Sequence, residues 1–222
     1  ALKAQKRRCY KIIIEQGKPQ ARLNSLIQLA RDNKVPIETI PKTTFQKKYR
    51  NYNHQGVIGV FALLPTLGLE ALIEHAFQKS PLPILVALDG IQDPQNLGAI
   101  IRSADALGAH GLILPKNRTS AINETVAKCS SGAIEYLPIA WVTNLTREIE
   151  QLKKAGFWIA GIVPDGNTPC YQHKFDAPTV LVIGGDEKGF RPWLKNSCDV
   201  TLKIPMEGSL GSLNASTAPA VN

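Results

Sequence analysis

Polar side chains that could carry chemistry gather where an apolar strand candidate ends, in residues 88–102 (LDGIQDPQNLGAIIR). The strand gives way to a polar turn and then to a helix that starts near Leu97, and Asn96 is well placed to cap that helix. Arg102 follows inside the helix, in an apolar stretch. An arginine in such a place either pairs with an anion or lays its aliphatic stem over apolar surface, and the spacing alone leaves both interpretations open.

Two further segments combine a strand end with small or polar residues. Residues 182–190 (VIGGDEKGF) contain Gly184 and Gly185, which let the backbone approach a ligand closely. Glu187 could hydrogen-bond a ligand or a neighbouring loop, or only stabilise the turn. Residues 204–216 (IPMEGSLGSLNAS) form a loop whose backbone N–H and C=O groups suit the edge of an adenine ring. The glycine spacing of a dinucleotide-binding fingerprint is absent, as is a P-loop, which excludes those nucleotide-binding classes.

Alternating strands and helices must position these segments. Strand candidates lie at residues 84–88, 111–114, 158–163, 179–183 and 200–204, and helical patterns lie at 97–107, 122–129 and 143–155. Most of the strands are apolar throughout, which indicates a sheet covered on both faces. The alternation predicts a parallel α/β sheet, in which ligands bind beyond the carboxyl ends of the strands.

The front of the chain predicts a smaller α/β unit. Its patterns indicate strands at residues 9–15, 35–40 and 56–62 and helices at 21–32 and 43–49, the second with a threonine as N-cap. An amphipathic helix at 67–78 and a stiff Ser-Pro-Leu-Pro break at 80–83 follow. We therefore expect a basic front domain at 1–63, a linker helix at 64–82 and a main domain at 83–222.

The charge of the chain is divided unevenly between these parts. Residues 1–50 hold 13 Lys and Arg against three Asp and Glu, a formal charge of +10, whereas the whole chain is +8, which leaves −2 for residues 51–222. Such a split suggests a polyanionic partner such as nucleic acid, because phosphate contacts release counterions. A solvated Lys/Arg surface that serves solubility is the alternative.

Cysteine and histidine usage gives no metal or redox pattern. The four cysteines Cys9, Cys129, Cys170 and Cys198 form no CxxC pair, and the four histidines are equally scattered, so we expect no metal site. Idle thiols indicate a reducing compartment, with the cytoplasm as the default and an organelle matrix as the alternative. No apolar run approaches the ~20 residues that a membrane helix needs, so no membrane partner is expected.

In their order and spacing, the three polar segments resemble the signature motifs of the SpoU (TrmH) family of RNA ribose methyltransferases, within the SPOUT superfamily. The sequence DPQNLGAIIRSADALGAHGLIL resembles the first motif, GGDEKGF the second and IPMEGSLGSLNAS the third, so that the resemblance spans residues 84–218. The front part, with NHQGV at 53–57, is similar to the ribosomal-protein-like substrate domain of the rRNA guanosine-2′-O-methyltransferase branch.

This resemblance implies a fold and a set of partners. The fold would be a parallel sheet whose C-terminal segment threads a loop to form a trefoil knot, preceded by the small α/β substrate-binding domain. S-adenosylmethionine would sit in the knot, RNA would be the substrate, and the protein would be a homodimer with its active site near the dimer interface. The family continues beyond the third motif as a full apolar helix, so we expect the natural chain to extend past Asn222, and the missing initiator Met suggests the same at the front.

The resemblance also assigns roles to residues. By motif position, Gly184, Ile204 and Leu213 would contact the cofactor, largely through their backbone. The family's functional polar residues would correspond to a further set of catalytic positions, namely Asn96, Arg102, Glu187, Ser212 and Asn214. Arg102 would orient a phosphate and stabilise the developing 2′-alkoxide, because arginine holds its proton too strongly for an ordinary general base.

The implied activity is methyl transfer to a ribose 2′-hydroxyl, of a guanosine in large-subunit ribosomal RNA. Two other interpretations stay open at the level of the sequence. One keeps the chemistry and changes the target, to a tRNA or to the rRNA site of an antibiotic-resistance methylase. The other is an RNA-binding ribosome-assembly factor that has lost catalysis.

Overall fold

The structure is a computed structural model that describes residues 1–18, 20–52, 54–185 and 191–206. The chain divides into two compact units, Ala1–Pro65 and Thr66–Asn222. In the ranges that the structure describes, no helix combines the length and apolarity needed to cross a bilayer.

A three-stranded sheet forms the first unit. Its central strand β1 (Cys9–Glu15) pairs in parallel with β2 (Ile37–Ile40) and antiparallel with β3 (Val57–Phe61). Two helices, α1 (Gln20–Asp32) and α2 (Lys42–Tyr49), connect the strands. The small α/β unit expected from the sequence is therefore confirmed.

Alternation along β1 explains how this unit is packed. Ile12 and Ile14 point to the same side and are buried in a core with Ala30 of α1, while Ile13 is buried on the other side. The prediction that a threonine caps α2 was wrong, because Pro41 occupies the N-cap position and no side chain caps the helix. Phe45, which is fully buried, holds α2 in the unit by packing instead.

The second unit alternates strands and helices along most of its length. In chain order its elements are α3 (Leu69–Lys79), β4 (Ile84–Asp89), α4 (Pro94–Ala106), β5 (Gly111–Pro115), α5 (Glu124–Cys129), β6 (Ile139–Val142), α6 (Leu145–Lys154), β7 (Trp158–Ile162), β8 (Thr168–Pro169), β9 (Thr179–Gly184), α7 (Pro192–Ser197) and β10 (Val200–Lys203).

Its seven strands form one sheet in the order β6-β5-β4-β9-β7-β10-β8. Every pairing in this sheet is parallel, which confirms the parallel α/β architecture expected from the strand–helix alternation. Strands β6 and β8 and helix α7 were not predicted. These elements have four, two and six residues, too few to show a hydrophobic period.

Helices cover both faces of the sheet. One core is built by α3, α6 and α7 against the strands, with Leu72, Ile149 and Leu194 among its fully or almost fully buried members. Helices α4 and α5 pack against each other instead, and a Cβ at Gly98 of α4 would lie 2.5 Å from the Cβ of Cys129 and 2.9 Å from the carbonyl oxygen of Val126. Glycine at this position therefore lets the two helices approach closely.

The strand order brings the sequence segments of interest to one edge. Because all strands are parallel, the carboxyl ends of β4, β9, β7 and β10 lie side by side. The first polar segment follows β4, the second follows β9 and the third follows β10.

Candidate functional site

Strands β4 and β9 end together at the centre of this edge. Asp89, the last residue of β4, is in register with Gly184, the last residue of β9. The backbone N–H of Gly185 donates to the carbonyl oxygen of Asp89 at 2.8 Å, which continues the ladder one residue further. The beginnings of the first and second polar segments are thus in direct contact.

The two adjacent glycines of the second segment, Gly184 and Gly185, have different surroundings. A Cβ on Gly185 would lie 2.2 Å from the carbonyl oxygen of Gly90 and 2.7 Å from its carbonyl carbon. Both atoms belong to the backbone, and Gly90 itself has a φ of +83°, which favours glycine. Gly185 is therefore required for packing of backbone against backbone, whereas Gly184 stands at the strand end, where a ligand could approach.

Asp89 also contacts Arg191, the residue that directly follows the second segment. The guanidinium of Arg191 donates to its carboxylate in a bidentate manner, with Nε 2.6 Å from Oδ2 and Nη2 2.5 Å from Oδ1. The Asp89 side chain is only 4% exposed, so its charge is almost removed from water and depends on this partner. The Arg191 guanidinium lies over the Trp193 ring at 4.4 Å from the centroid, which fixes its orientation further.

Asp89 therefore contacts both Gly185 and Arg191, the residues on either side of the segment that carries Glu187. The backbone oxygen of Asp89 holds Gly185, and its carboxylate holds Arg191. We call this arrangement the Asp89–Arg191 clamp. Sequence reasoning missed both residues, although an aspartate at the end of an apolar strand was a signal that a buried carboxylate needs a cation.

The third segment begins two strands away. Ile204 follows β10, which pairs with β7, which in turn pairs with β9. At the usual spacing between strands, Ile204 and Gly184 are separated by about 10 Å along the edge. The structure thus brings Gly184 and Ile204 to the carboxyl ends of strands in one sheet, and we call this row of strand ends the rim. Glu187, Leu213, Ser212 and Asn214 lie outside the described residues, so their roles stay predictions.

Asn96 was wrongly predicted to cap the helix of the first segment. Asp93 is the N-cap, and its side chain accepts a hydrogen bond from the backbone N–H of Gln95 at 3.0 Å, with Pro94 in the first helical position. A proline at that position starts the helix earlier than the apolar period indicated. Asn96 consequently lies inside the first turn and is half-buried.

Arg102 is exposed in the second half of α4. Eight residues separate it from Pro94, so it lies about 12 Å along the axis from the start of the helix. It is six residues from Asn96, about 9 Å along the axis and on a different face. No hydrogen bond or ion pair is found between Arg102 and another described residue, and its exposed position fits a contact with a ligand or a second chain.

Two cations missed by the sequence reasoning follow β5, at the same edge. Lys116 and Arg118 are both exposed. The backbone N–H of Ser120 donates to the carbonyl oxygen of Ile91 at 2.8 Å, which holds this loop against the loop after β4. The position beyond a strand end is the signal that could have identified these cations as candidates for contact with a phosphate.

The described residues offer no rival chemistry based on thiols or metals. All four cysteines are free, and burial raises the pKa of the Cys198 thiol to about 11, so it stays protonated at neutral pH. Within the described ranges, no group of three or more His, Cys, Asp and Glu side chains could hold a metal ion.

The rim fits an adenosyl cofactor in kind. An adenine ring binds against apolar surface and main-chain groups, and the strand ends carry the partly buried Gly184 and Ile204. The absence of a side chain at Gly184 leaves its main chain open to close approach.

Comparisons with known proteins agree with the resemblance to the SpoU (TrmH) family. The SpoU rRNA Methylase family matches residues 83–222, and the family of RNA 2′-O ribose methyltransferase substrate binding domains matches residues 1–67. A protein of Staphylococcus haemolyticus described as a TrmH family tRNA/rRNA methyltransferase is 39% identical over 211 residues, covering 95% of this chain and 84% of that protein.

Solved structures share the fold. The SpoU methyltransferase AviRb from Streptomyces viridochromogenes matches with a TM-score of 0.79 at 24% identity, over 99% of this chain and 81% of that one. A further structure of AviRb is a complex with its cofactor AdoMet. The TrmH/SpoU tRNA modifying enzyme of A. aeolicus matches with a TM-score of 0.57 at 27% identity, over 69% of this chain and 77% of that one.

Both units of the chain match family models, and the relative from Staphylococcus haemolyticus is similar along almost the whole length. The chain therefore belongs to the SpoU (TrmH) family and is an S-adenosylmethionine-dependent RNA methyltransferase.

Proposed function

We propose that this enzyme methylates the ribose 2′-hydroxyl of a guanosine in large-subunit ribosomal RNA. The observation that carries the ribose assignment is the match of residues 1–67 to a substrate-binding family named for RNA 2′-O ribose methyltransferases. The charge of +10 on residues 1–50 suits this partner, because a polyanion is attracted by a concentrated positive charge.

Ribosomal RNA is favoured over tRNA by the organisation of the chain. A structure of an rRNA methyltransferase from Sinorhizobium meliloti matches 99% of this chain, and so includes the basic front unit, whereas the A. aeolicus tRNA modifying enzyme matches only 69%. The larger share of the chain that the rRNA enzyme matches favours a larger, structured RNA as the substrate. Such a substrate is present where ribosomes are made, and we propose the cytoplasm as the location.

The cofactor would be held mainly by the backbone of the rim. Gly184 and Ile204 would contact it, with Leu213 from the third segment. When bound, S-adenosylmethionine supplies an electrophilic methyl group on a sulfonium centre. The difficulty of the reaction then lies in the nucleophile, because a ribose hydroxyl is a very weak acid.

Arg102 would act on that nucleophile. Its guanidinium would hold a phosphate of the target nucleotide in a bidentate manner and stabilise negative charge as it develops on the 2′-oxygen, while an RNA phosphate or water accepts the proton. Asn96, Glu187, Ser212 and Asn214 would position the nucleotide and the surrounding loops. The Asp89–Arg191 clamp would keep the Glu187 segment in place before RNA arrives.

A homodimer would complete the site. Arg102 lies about 12 Å along α4 from the start of that helix, away from the rim that holds Gly184 and Ile204. We propose that Arg102 of one copy faces the rim of the second copy, consistent with a trefoil-knotted fold that places its active site near the dimer interface.

Primer extension at low nucleotide concentration tests the RNA target. Unmodified large-subunit rRNA and tRNA are incubated with the enzyme and S-adenosylmethionine, and we expect a new pause only on the rRNA, next to a guanosine. A pause only on tRNA would move the target to tRNA. Binding of rRNA without any methyl incorporation would indicate the non-catalytic assembly factor.

A further inference from the structure

The start of β1 presents a tyrosine that a regular strand would place differently. In the ladder with β3, Cys9 pairs with Phe61 and Lys11 pairs with Val60, so Tyr10 is the extra residue of a β-bulge. A bulge bends the strand and re-aims the side chain of the extra residue. Tyr10 is 50% exposed as a result.

Neighbouring groups hold a cation beside this ring. The Arg8 guanidinium carbon lies 5.5 Å from the centroid of the Tyr10 ring. The backbone at Arg8 is fixed, because its carbonyl oxygen accepts from the N–H of Ala62 at 2.8 Å. Arg7 is anchored too, since it donates to the carbonyl oxygen of Ala62 and lies 5.1 Å from the Phe61 ring centroid. The aromatic ring and the cation therefore already lie side by side without a ligand.

Tyr10 lines a groove of about 540 Å³ between residues 1–10 and the loop 33–36, which we call the Tyr10 groove. Its charged lining side chains are Arg7, Arg8 and Lys34, and none of its lining residues is acidic. A hydrogen bond of 2.7 Å from Gln5 Nε2 to Asn33 Oδ1 joins the two walls. The groove thus combines the exposed aromatic face of Tyr10 with positive charge from Arg8 and Lys34.

A second cavity of the same unit, of about 550 Å³, has a different character. Its lining includes Glu15, whose buried carboxylate lies 3.8 Å from Lys18 Nζ and accepts a hydrogen bond from Gln46. Lys18 and Arg31 also line this cavity, so its positive charge is partly offset by the Glu15 carboxylate. Charge complementarity to an RNA backbone therefore favours the Tyr10 groove.

We propose that the Tyr10 groove binds an unpaired nucleotide of the RNA substrate. The base stacks on the Tyr10 ring, and Arg8 and Lys34 contact the adjoining phosphates. Unpaired bases are recognised by aromatic and guanidinium planes in this way, and stacking accepts any base because every base has a π-face. The identity of the occupant rests on the proposed function, whereas the location of the site rests on the bulge and the groove.

Fluorescence anisotropy with a labelled single-stranded RNA oligonucleotide and with its duplex tests the site in the full chain. Tyr10→Ala should weaken binding of the single strand about tenfold or more, which is the usual effect of losing one stacked base. Tyr10→Trp should retain affinity, because indole also stacks. Binding of the duplex should change less, since its bases are already stacked on each other.

Matched controls lie in the second unit. Tyr171→Ala removes a tyrosine that is 71% exposed and should leave affinity unchanged. Arg8→Gln should weaken binding and reduce its salt dependence, whereas Arg147→Gln, at an exposed arginine of α6, should do neither. Should Tyr10→Ala not fold, Tyr10→Leu takes its place, because leucine keeps an apolar side chain but cannot stack a base as an aromatic ring does, and it should also lose affinity.

The outcomes separate this inference from the proposed function. Wild-type methylation of RNA together with equal affinities for Tyr10→Ala, Tyr171→Ala and wild type overturns the groove and leaves the activity intact. Equal losses for Tyr10→Ala and Tyr10→Trp also overturn it, because stacking would not then be the cause. Wild-type protein that neither binds nor methylates RNA would overturn both.

Discussion

Arg102 stands exposed on α4, so its replacement should affect chemistry more than folding. Arg102→Ala should lower the single-turnover rate about a hundred- to a thousandfold, which corresponds to about 2.7–4 kcal/mol for one contact that stabilises charge in the transition state. Affinity for S-adenosylmethionine should stay nearly unchanged. Arg102→Lys should rescue little, because lysine lacks the bidentate geometry.

Arg147→Ala, which truncates another exposed helical arginine of the same unit, is the matched control and should keep the full rate. The rival view makes Arg102 a structural element of α4. It predicts that thermal stability and cofactor affinity fall together in Arg102→Ala, and circular dichroism melts combined with calorimetry would show this. A stable variant with a near-normal single-turnover rate would remove Arg102 from the mechanism.

Gly185 is constrained by backbone rather than by a flexible side chain. A methyl group at this position would meet the Gly90 carbonyl 2.2 Å away, so Gly185→Ala must push the ends of β4 and β9 apart. We expect a loss of about 1–3 kcal/mol in the free energy of unfolding, together with weaker binding of S-adenosylmethionine. Gly68→Ala has no atom within 4 Å of the added methyl and serves as the control in denaturant titrations. Equal stability of the two variants would contradict the close approach.

At the scale of the elements, the Asp89–Arg191 clamp connects the end of β4 to the start of α7. Arg191→Ala leaves the buried Asp89 carboxylate without its partner, and the loss of a charged hydrogen-bonded contact should lower stability by about 1.5–3 kcal/mol. Because Gly185 and Arg191 flank the Glu187 segment, the Michaelis constant for S-adenosylmethionine should rise as well. Arg191→Lys should restore part of both properties.

Lys195→Ala provides the comparison on the same helix. Lys195 pairs with Asp165 at 2.5 Å, but the Asp165 side chain is 74% exposed, so solvent screens this pair and its removal should change stability little. The Michaelis constant should not change in this variant. If Arg191→Ala behaves like Lys195→Ala in both melts and kinetics, the clamp has no role in the site.

Elements with a clear hydrophobic period were predictable, and contacts between distant segments were not. The strands at 84–88 and 179–183 were placed within one residue of β4 and β9, because both are apolar runs between polar turns. The order of the seven strands could not be predicted from local sequence patterns, because the pairing of parallel strands depends on the packing of the whole sheet. The Asp89–Arg191 pair joins residues 102 positions apart, and no local pattern encodes such a contact.

The candidate site was predictable where motifs lie on strand ends. Gly184 and Ile204 do lie at one rim, as the alternation of strands and helices implied. The cap of α4 was not predictable from the apolar period alone, because Pro94 starts the helix before the first apolar residue and gives the cap to Asp93. The residues of the turn, Asp93 and Pro94, therefore determined where α4 starts, which the hydrophobic pattern did not indicate.

At the scale of the whole molecule, the two units should separate in function. Deletion of residues 1–65 should leave S-adenosylmethionine binding largely intact and abolish methylation of rRNA, because the positive charge resides in the deleted unit. RNA affinity of the full chain should fall steeply with salt, in proportion to the number of phosphates neutralised. Full methylation of a structured rRNA fragment by the truncated protein would show that the front unit does not read the substrate.

A dimeric site predicts complementation between two inactive variants. Arg102→Ala retains the rim and Gly185→Val retains Arg102, so a mixed dimer would contain one complete site if these groups come from different copies. Mixing the two after partial unfolding and refolding should restore a fraction of the activity, measured as methyl incorporation into rRNA. No recovery, despite exchange of subunits seen with differently tagged copies, would place both groups within a single chain.

The position of the transferred methyl group tests the central claim most directly. Ribosomal RNA is methylated with tritium-labelled S-adenosylmethionine and then hydrolysed in alkali, which cleaves next to a free 2′-hydroxyl but not next to a methylated one. We expect the label in alkali-resistant dinucleotides that carry a 2′-O-methylated guanosine. Label in mononucleotides would show methylation of a base and would contradict the assignment to ribose.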